Sequence, residues 1–196
     1  MNQMLETGRI AIGDEVPTRE LTTIRDSRCT VPTPDALTHL QFRRYAGCPI
    51  CNLHLRSVAK RHHEIVAAGI REVVVFHSRA EDMRPHQGQL PFDAIADPER
   101  VLYKEFGVEA SIRAVIHPRA WLAPMNPKTY PIVARGLRAG GSPGPRHGAS
   151  VLGLPADFLI ATDGVVRAVK YGRHANDQWS VDELLSLARG GTASTH

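Results

Sequence analysis

The chain has 196 residues, 42% hydrophobic and 22% charged, and its 24 Lys and Arg against 20 Asp and Glu leave a net charge of +4. That apolar content excludes a wholly disordered chain. The length suits one domain with a sizeable core, and no apolar run approaches the roughly 20 residues that span a bilayer. The basic residues are scattered, so the composition carries no nucleic-acid footprint.

Met1 to Glu6 show no basic segment leading into an apolar one, so no secretory signal is expected and the chain reads as cytoplasmic. Residues 1–20 form a lead-in, with Gly13-Asp14-Glu15-Val16-Pro17 as turn chemistry, and Thr30 to Asp35, with two prolines, reads as a loop. Leu40 and Phe42 share one side of a strand over His39–Tyr45, which Ala46-Gly47-Cys48-Pro49 breaks. From Pro49 to Ala68, Ile50, Leu53, Val58, Ile65 and Val66 recur at helical spacings; Pro49 suits the first turn and Gly69 the stop. Val73-Val74-Val75-Phe76 reads as a strand buried on both faces, which completes a βαβ pattern. Asp97-Pro98-Glu99 opens a short helix to Phe106, stopped by Gly107. Residues 113–150, rich in proline and glycine, read as an insertion, with a helix over Tyr130–Ala139 and a flexible loop over Arg138–His147. Two strands, Asp157–Ala161 and Val165–Tyr171, flank the hairpin signal Thr162-Asp163-Gly164. Ser180 and Glu183 form a capping box for a helix to Arg189. The expectation is one domain over 1–196, with its core at about 10–190 and a disordered tail over 190–196.

The three cysteines, Cys29, Cys48 and Cys51, are too few and odd in number for a disulfide framework. In a reducing compartment a close pair is more often redox-active or metal-binding than structural, which leaves inert structural cysteines as a further alternative. Cys48-Pro49-Ile50-Cys51 falls at a strand-to-helix junction, where free backbone N–H groups and the helix dipole favour a thiolate. The second cysteine lies about one turn further on, within reach of a small disulfide. This assigns Cys48 as nucleophile and Cys51 as resolving thiol. The alternative is a zinc site using His54, with His62-His63 and Cys29 as the remaining donors, but the usual second ligand pair at set spacing is missing.

The segment Leu40–Cys51 resembles the strand–loop–helix of the thioredoxin-like superfamily, and in particular the peroxiredoxin-like branch of the alkyl hydroperoxide reductase/thiol-specific antioxidant family. Gly13–Pro17, Leu90–Glu99 with Tyr103–Val108, and Pro155–Gly164 are similar to further blocks of that family in the same order. The resemblance implies an α/β thioredoxin-like fold, a mixed central sheet flanked by helices, with an N-terminal extension and the insertion near 113–150. It implies a thiol-dependent oxidoreductase that reduces hydroperoxides and needs no organic cofactor or metal. A thioredoxin-type dithiol would be its reductant, and a homodimer is compatible with it. It also implies a cis bond at Pro155, exposing the backbone of Leu154 to a thiol substrate, so Tyr45, Pro49 and Pro155 are candidate substrate-binding residues. The family's Pro-x-x-x-Thr-x-x-Cys loop is not kept: Gln41 stands at the proline position and Tyr45 at the threonine. The family's arginine has no clear counterpart. A general dithiol–disulfide oxidoreductase and a non-catalytic redox sensor therefore remain the alternatives.

Other residues divide between chemistry and packing. Tyr45 can hydrogen-bond the Cys48 sulfur or pack at the strand end. Arg43 or Arg44 can lower the Cys48 pKa, and strand alternation turns the other away. His54 reads as lying on a solvated face, Cys29 as an incidental thiol in a loop, and Ser78 and Arg79, at a strand's carboxyl end, as structural residues ahead of the alternative of a substrate contact. Arg138, Arg146 and His147 offer an anion site without a phosphate-loop pattern. Tyr171-Gly172-Arg173-His174 reads as a turn, and Trp121 and Trp179 as packing residues.

Overall fold

The computed structural model describes residues 8–108 and 154–190. The expected insertion, with its helix, loop and anion site, and Trp121 lie outside the described residues, as does the tail beyond Gly190. The strands are β1 (Arg19–Thr22), β2 (Arg28–Val31), β3 (Leu37–Arg43), β4 (Ile70–Phe76), β5 (Asp93–Ala96), β6 (Ala156–Ile160) and β7 (Val166–Tyr171). The helices are α1 (Pro49–Lys60), α2 (His62–Ala67), α3 (Ala80–Gln87), α4 (Val101–Glu105) and α5 (Val181–Ala188). Among these, no helix is long and apolar enough to cross a membrane.

Five strands form one mixed sheet in the order β5-β4-β3-β6-β7. β3 pairs parallel with β4, and β4 with β5, while β6 runs antiparallel to both β3 and β7. The central strand β3 is thus covered on both edges and both faces. Leu40 and Phe42 join Val73, Val75, Phe158, Tyr103 and Phe106 in a core on one face. Val74, Phe76 and Leu159 meet Cys51, Leu55 and Val58 of α1 and Leu184 and Leu185 of α5 on the other. The alternation that sorts these residues is the two-residue period of a strand.

Several boundaries differ from expectation. The helix expected over Pro49–Ala68 is two helices, because Arg61 leaves helical geometry (φ −108°, ψ 16°). Its guanidinium is held by Glu64 at 2.7 Å and Asp182 at 2.8 Å. The loop expected from Thr30 begins instead as strand β2, paired with β1 from Arg19↔Val31 to Thr22↔Arg28. Cys29 is therefore a buried strand residue rather than a loop residue. Helix α4 starts at Val101, later than Asp97, whose carboxylate instead accepts from the N–H groups of Val101, Leu102 and Tyr103 (2.9, 2.9 and 3.2 Å). Gly107 ends that segment at φ +63°, where a Cβ would lie 2.2 Å from the Gly8 carbonyl oxygen. The Ser180–Glu183 capping box is present as expected.

Candidate active site

β3 ends at Arg43, and four residues from Arg44 to Gly47 lead to Cys48, the N-cap of α1, with Pro49 in the first turn. Proline fits there because its missing N–H is one that a helix start leaves unpaired. The two cysteines are reduced and their sulfurs are 2.9 Å apart, with the Cys51 thiol donating to Cys48. Arg44 Nη1 stands 3.9 Å from Cys48 Sγ. The hydrogen bond from Cys51, the Arg44 cation and the backbone N–H groups of Cys51 and Ile50 together outweigh burial and bring the Cys48 thiol down to about 7. Burial and the charge on Cys48 push Cys51 well up. One thiol is thus prepared as a nucleophile and the other kept as a protonated donor.

The loop is clamped by side chains from three places: α1, α3 and the segment just past β4. Ala46 N–H donates to Ser78 Oγ (3.0 Å), just past β4. The Ala46 carbonyl accepts from Asn52 Nδ2 of α1 and Gln87 Nε2 of α3, both at 3.0 Å. Gln87 Nε2 also donates to Asn52 Oδ1 (2.6 Å). Ser78 thus serves the structural reading by holding the loop, and exposed Arg79 pairs with Glu81 at 3.3 Å. Tyr45 is buried, with the Arg44 guanidinium 5.7 Å from its ring centroid. Burial and the neighbouring Cys48 charge raise its phenol to about 12.

Beneath α1 lies a polar layer that no motif announced. On the face of β3 opposite Leu40 and Phe42 stand His39, Gln41 and Arg43, joined by Glu72 of β4 and Asp157 of β6, all at most 1% exposed. His39 Nδ1 is 2.9 Å from Glu72 Oε2 and its Nε2 3.1 Å from Asp157 Oδ1. Arg43 Nη2 lies 2.7 Å from both Asp157 Oδ1 and Gln41 Oε1, and Gln41 Nε2 donates to Glu72. Burial alone would lower His39, but Glu72 and Asp157 raise it to about 9, so at neutral pH two cations face two carboxylates. His54 turns into this layer, its Nε2 3.3 Å from Arg43 Nη2, and not onto a solvated face. Burial and the Arg43 charge lower it to about 3. The two arginines divide: Arg43, the last residue of β3, serves the buried layer, and Arg44, the first of the loop, serves the sulfur.

The remaining site expectations fare differently. Pro155 is buried one residue beyond the Phe42–Ala156 pair, at the Cys48 end of the sheet, with its carbonyl accepting from Gly172 N–H (2.8 Å). The cis bond expected there is absent: among the described residues the one cis peptide is Val31–Pro32. Pro155 instead precedes β6 as an ordinary strand-opening proline. Cys29 lies in the core on the other face of the sheet from Cys48. Burial and Asp93 raise it to about 12, which leaves it an unreactive thiol. Trp179 packs on the His39 ring at 5.6 Å, consistent with its reading as a packing residue. No group of three or more His, Cys, Asp or Glu placed to hold a metal occurs among the described residues.

Replacing Arg44 with Met is expected to raise the Cys48 pKa. The half-point of the pH profile for Cys48 alkylation by iodoacetamide should move up by about one pH unit. An unchanged profile would remove Arg44 from the account.

A family model described as AhpC/TSA antioxidant enzyme matches residues 56–174, a stretch that begins beyond both cysteines. No curated protein matches the chain in sequence. Peroxidoxin BcpB from Mycobacterium tuberculosis is 16% identical, with a TM-score of 0.66 over 92% of this chain and 97% of its own. Mycobacterium tuberculosis AhpC is 16% identical, with a TM-score of 0.62 over 92% of each chain. A protein from Chlorobium tepidum, described as a thiol:disulfide interchange protein of DsbE type, is 16% identical, with a TM-score of 0.56 over 91% of this chain and 99% of its own. These likenesses give the chain a thioredoxin-like peroxiredoxin fold.

Proposed function

Since the chain belongs to the AhpC/TSA antioxidant enzyme family, we propose that it reduces hydroperoxides through a Cys48 thiolate, with Cys51 resolving. The observation that carries this reading is the sulfur pair at 2.9 Å, with Arg44 beside the nucleophile. The thiolate attacks the terminal oxygen of R–O–O–H and the O–O bond breaks. Sulfur gives up two electrons and becomes a sulfenic acid, and the alkoxide takes a proton from solvent. The Cys51 thiol then attacks the sulfenic sulfur, water leaves and a Cys48–Cys51 disulfide forms. A thioredoxin-type dithiol supplies two electrons and two protons to close the cycle.

A second reading is dithiol–disulfide exchange, favoured by Tyr45 at the position where the family carries threonine. Burial of both cysteines, at 1% and 0% exposure, speaks for the smaller substrate. A hydroperoxide can reach a recessed sulfur through a narrow opening, whereas a protein disulfide must lay a sulfur of its own directly against Cys48. In stopped-flow assays with a dithiol, hydrogen peroxide and an organic hydroperoxide should both be consumed, at rates well above insulin-disulfide reduction. Insulin reduction without peroxide consumption would transfer the assignment to the second reading.

A further inference from the structure

We propose that His77 binds the hydroperoxide at Cys48, donating a hydrogen bond to the oxygen that leaves; this rests on the peroxidase reading above. His77 is 3% exposed, yet neither Nδ1 nor Nε2 has a hydrogen-bond partner. Buried polar atoms are nearly always paired, because leaving one unpaired costs its full desolvation. An imidazole kept under those conditions calls for a partner that comes and goes.

Its position says which partner. β3 and β4 run parallel, and their last registered pair is Arg43 with Phe76. Arg44 and His77 are the residues that follow that pair, each just past the carboxyl end of its strand. Arg44 reaches Cys48 Sγ at 3.9 Å, and Ser78, the residue after His77, holds the Ala46 N–H of the Cys48 loop. The Tyr103 ring stands edge-on to His77 at 5.5 Å, but its hydroxyl donates to the carbonyls of Arg43 and Val75. Burial, then the Arg100 and Arg44 cations, lower His77 to about 4, so at neutral pH it is an uncharged imidazole with one N–H to give.

The leaving oxygen of a hydroperoxide is the acceptor that fits. Its negative charge grows as the thiolate takes the terminal oxygen and the O–O bond breaks, so a fixed donor there is worth more in the transition state than before it. The alkoxide still takes its proton from solvent; His77 contributes the hydrogen bond and the orientation.

The test compares two reactions of the same sulfur. In His77→Leu, single-turnover reduction of an organic hydroperoxide should slow about 100-fold. Alkylation of Cys48 by iodoacetamide, which has no leaving oxygen to hold, should stay within about twofold at matched thiolate. His77→Gln, which keeps an N–H donor, should recover part of the loss, and the Tm of His77→Leu should not fall below wild type. A His77→Leu protein that reduces hydroperoxide at the wild-type rate overturns the proposal. So does one in which peroxide reduction and alkylation fall by the same factor, which would mark a structural role. A wild-type protein that consumes no hydroperoxide overturns the peroxidase reading itself, and this inference with it.

Discussion

Cys48→Ser should lose hydroperoxide turnover by at least about 1,000-fold, because a serine hydroxyl stays un-ionised where the thiol is a thiolate. Cys51→Ser should fail differently. It keeps the nucleophile and should reduce one equivalent of hydroperoxide, then stop at the Cys48 sulfenic acid, detectable with a dimedone-type trap. The contrast follows from the geometry, in which Arg44 and the N–H groups at the start of α1 face Cys48 while Cys51 remains the protonated donor. The wild-type rate should rise with pH through about 7, where the Cys48 thiol ionises, and level off above it. Cys48→Ser with full turnover, or Cys51→Ser cycling like wild type, would break the assignment of roles.

Asp157→Ala should cost about 3–5 kcal/mol of stability, read as a lower urea midpoint. Asp157 is fully buried and accepts from both Arg43 and His39, so its removal leaves two buried cations facing Glu72 alone. That loss is a large part of the ~5–15 kcal/mol that holds a domain folded. The layer also sets a pH window. His39 is raised to about 9 in the folded protein, so the stability it adds is whole below its unfolded value of ~6.5 and fades as pH rises through about 9. Asp157 is held well below the usual carboxylate range by Arg43 and His39 against the effect of burial, so its contribution is present above ~3.9 and lost in strong acid. His54 and His77, lowered to about 3 and about 4, act earlier on the acid side. Below ~6.5 the unfolded chain takes up protons that these buried rings refuse, so stability declines. From these histidines urea midpoints should therefore peak at about pH 6.5, falling toward acid as His54 and His77 resist protonation and falling toward about pH 9 as the His39 contribution is lost. A flat profile, or an Asp157→Ala protein as stable as wild type, would contradict this reading of the layer.

The nucleophile's setting was legible because local signals agree there: the apolar alternation of β3, a break, a proline in the first helical turn and a C-x-x-C spacing. The buried layer was not legible, although its signal was present. His39, Gln41 and Arg43 alternate with Leu40 and Phe42, as on a strand with one wet face. Only the pairing of β3 between β4 and β6 shows that this face is buried under α1 and that Glu72 and Asp157 complete it. Asp157, alone inside an apolar run, reads as an interruption until Arg43, 114 positions away in sequence, is brought beside it. Short elements were missed for another reason. β5 has four residues, and α3 carries Pro85 inside it and buries only Met83 and Gln87, so neither shows a full hydrophobic period. Gln87, which clamps the Cys48 loop, was hidden with it. The bond at Pro155 was expected from resemblance alone, with no local physical signal to support it, and the structure does not keep it.

Treating the reduced protein with one equivalent of hydroperoxide and reading its intact mass and peptide map brings these points together. The expected result is a loss of two hydrogen atoms, with Cys48 joined to Cys51 and Cys29 still a free thiol. A Cys29-containing disulfide, or a protein whose mass is unchanged while the peroxide remains, would contradict it.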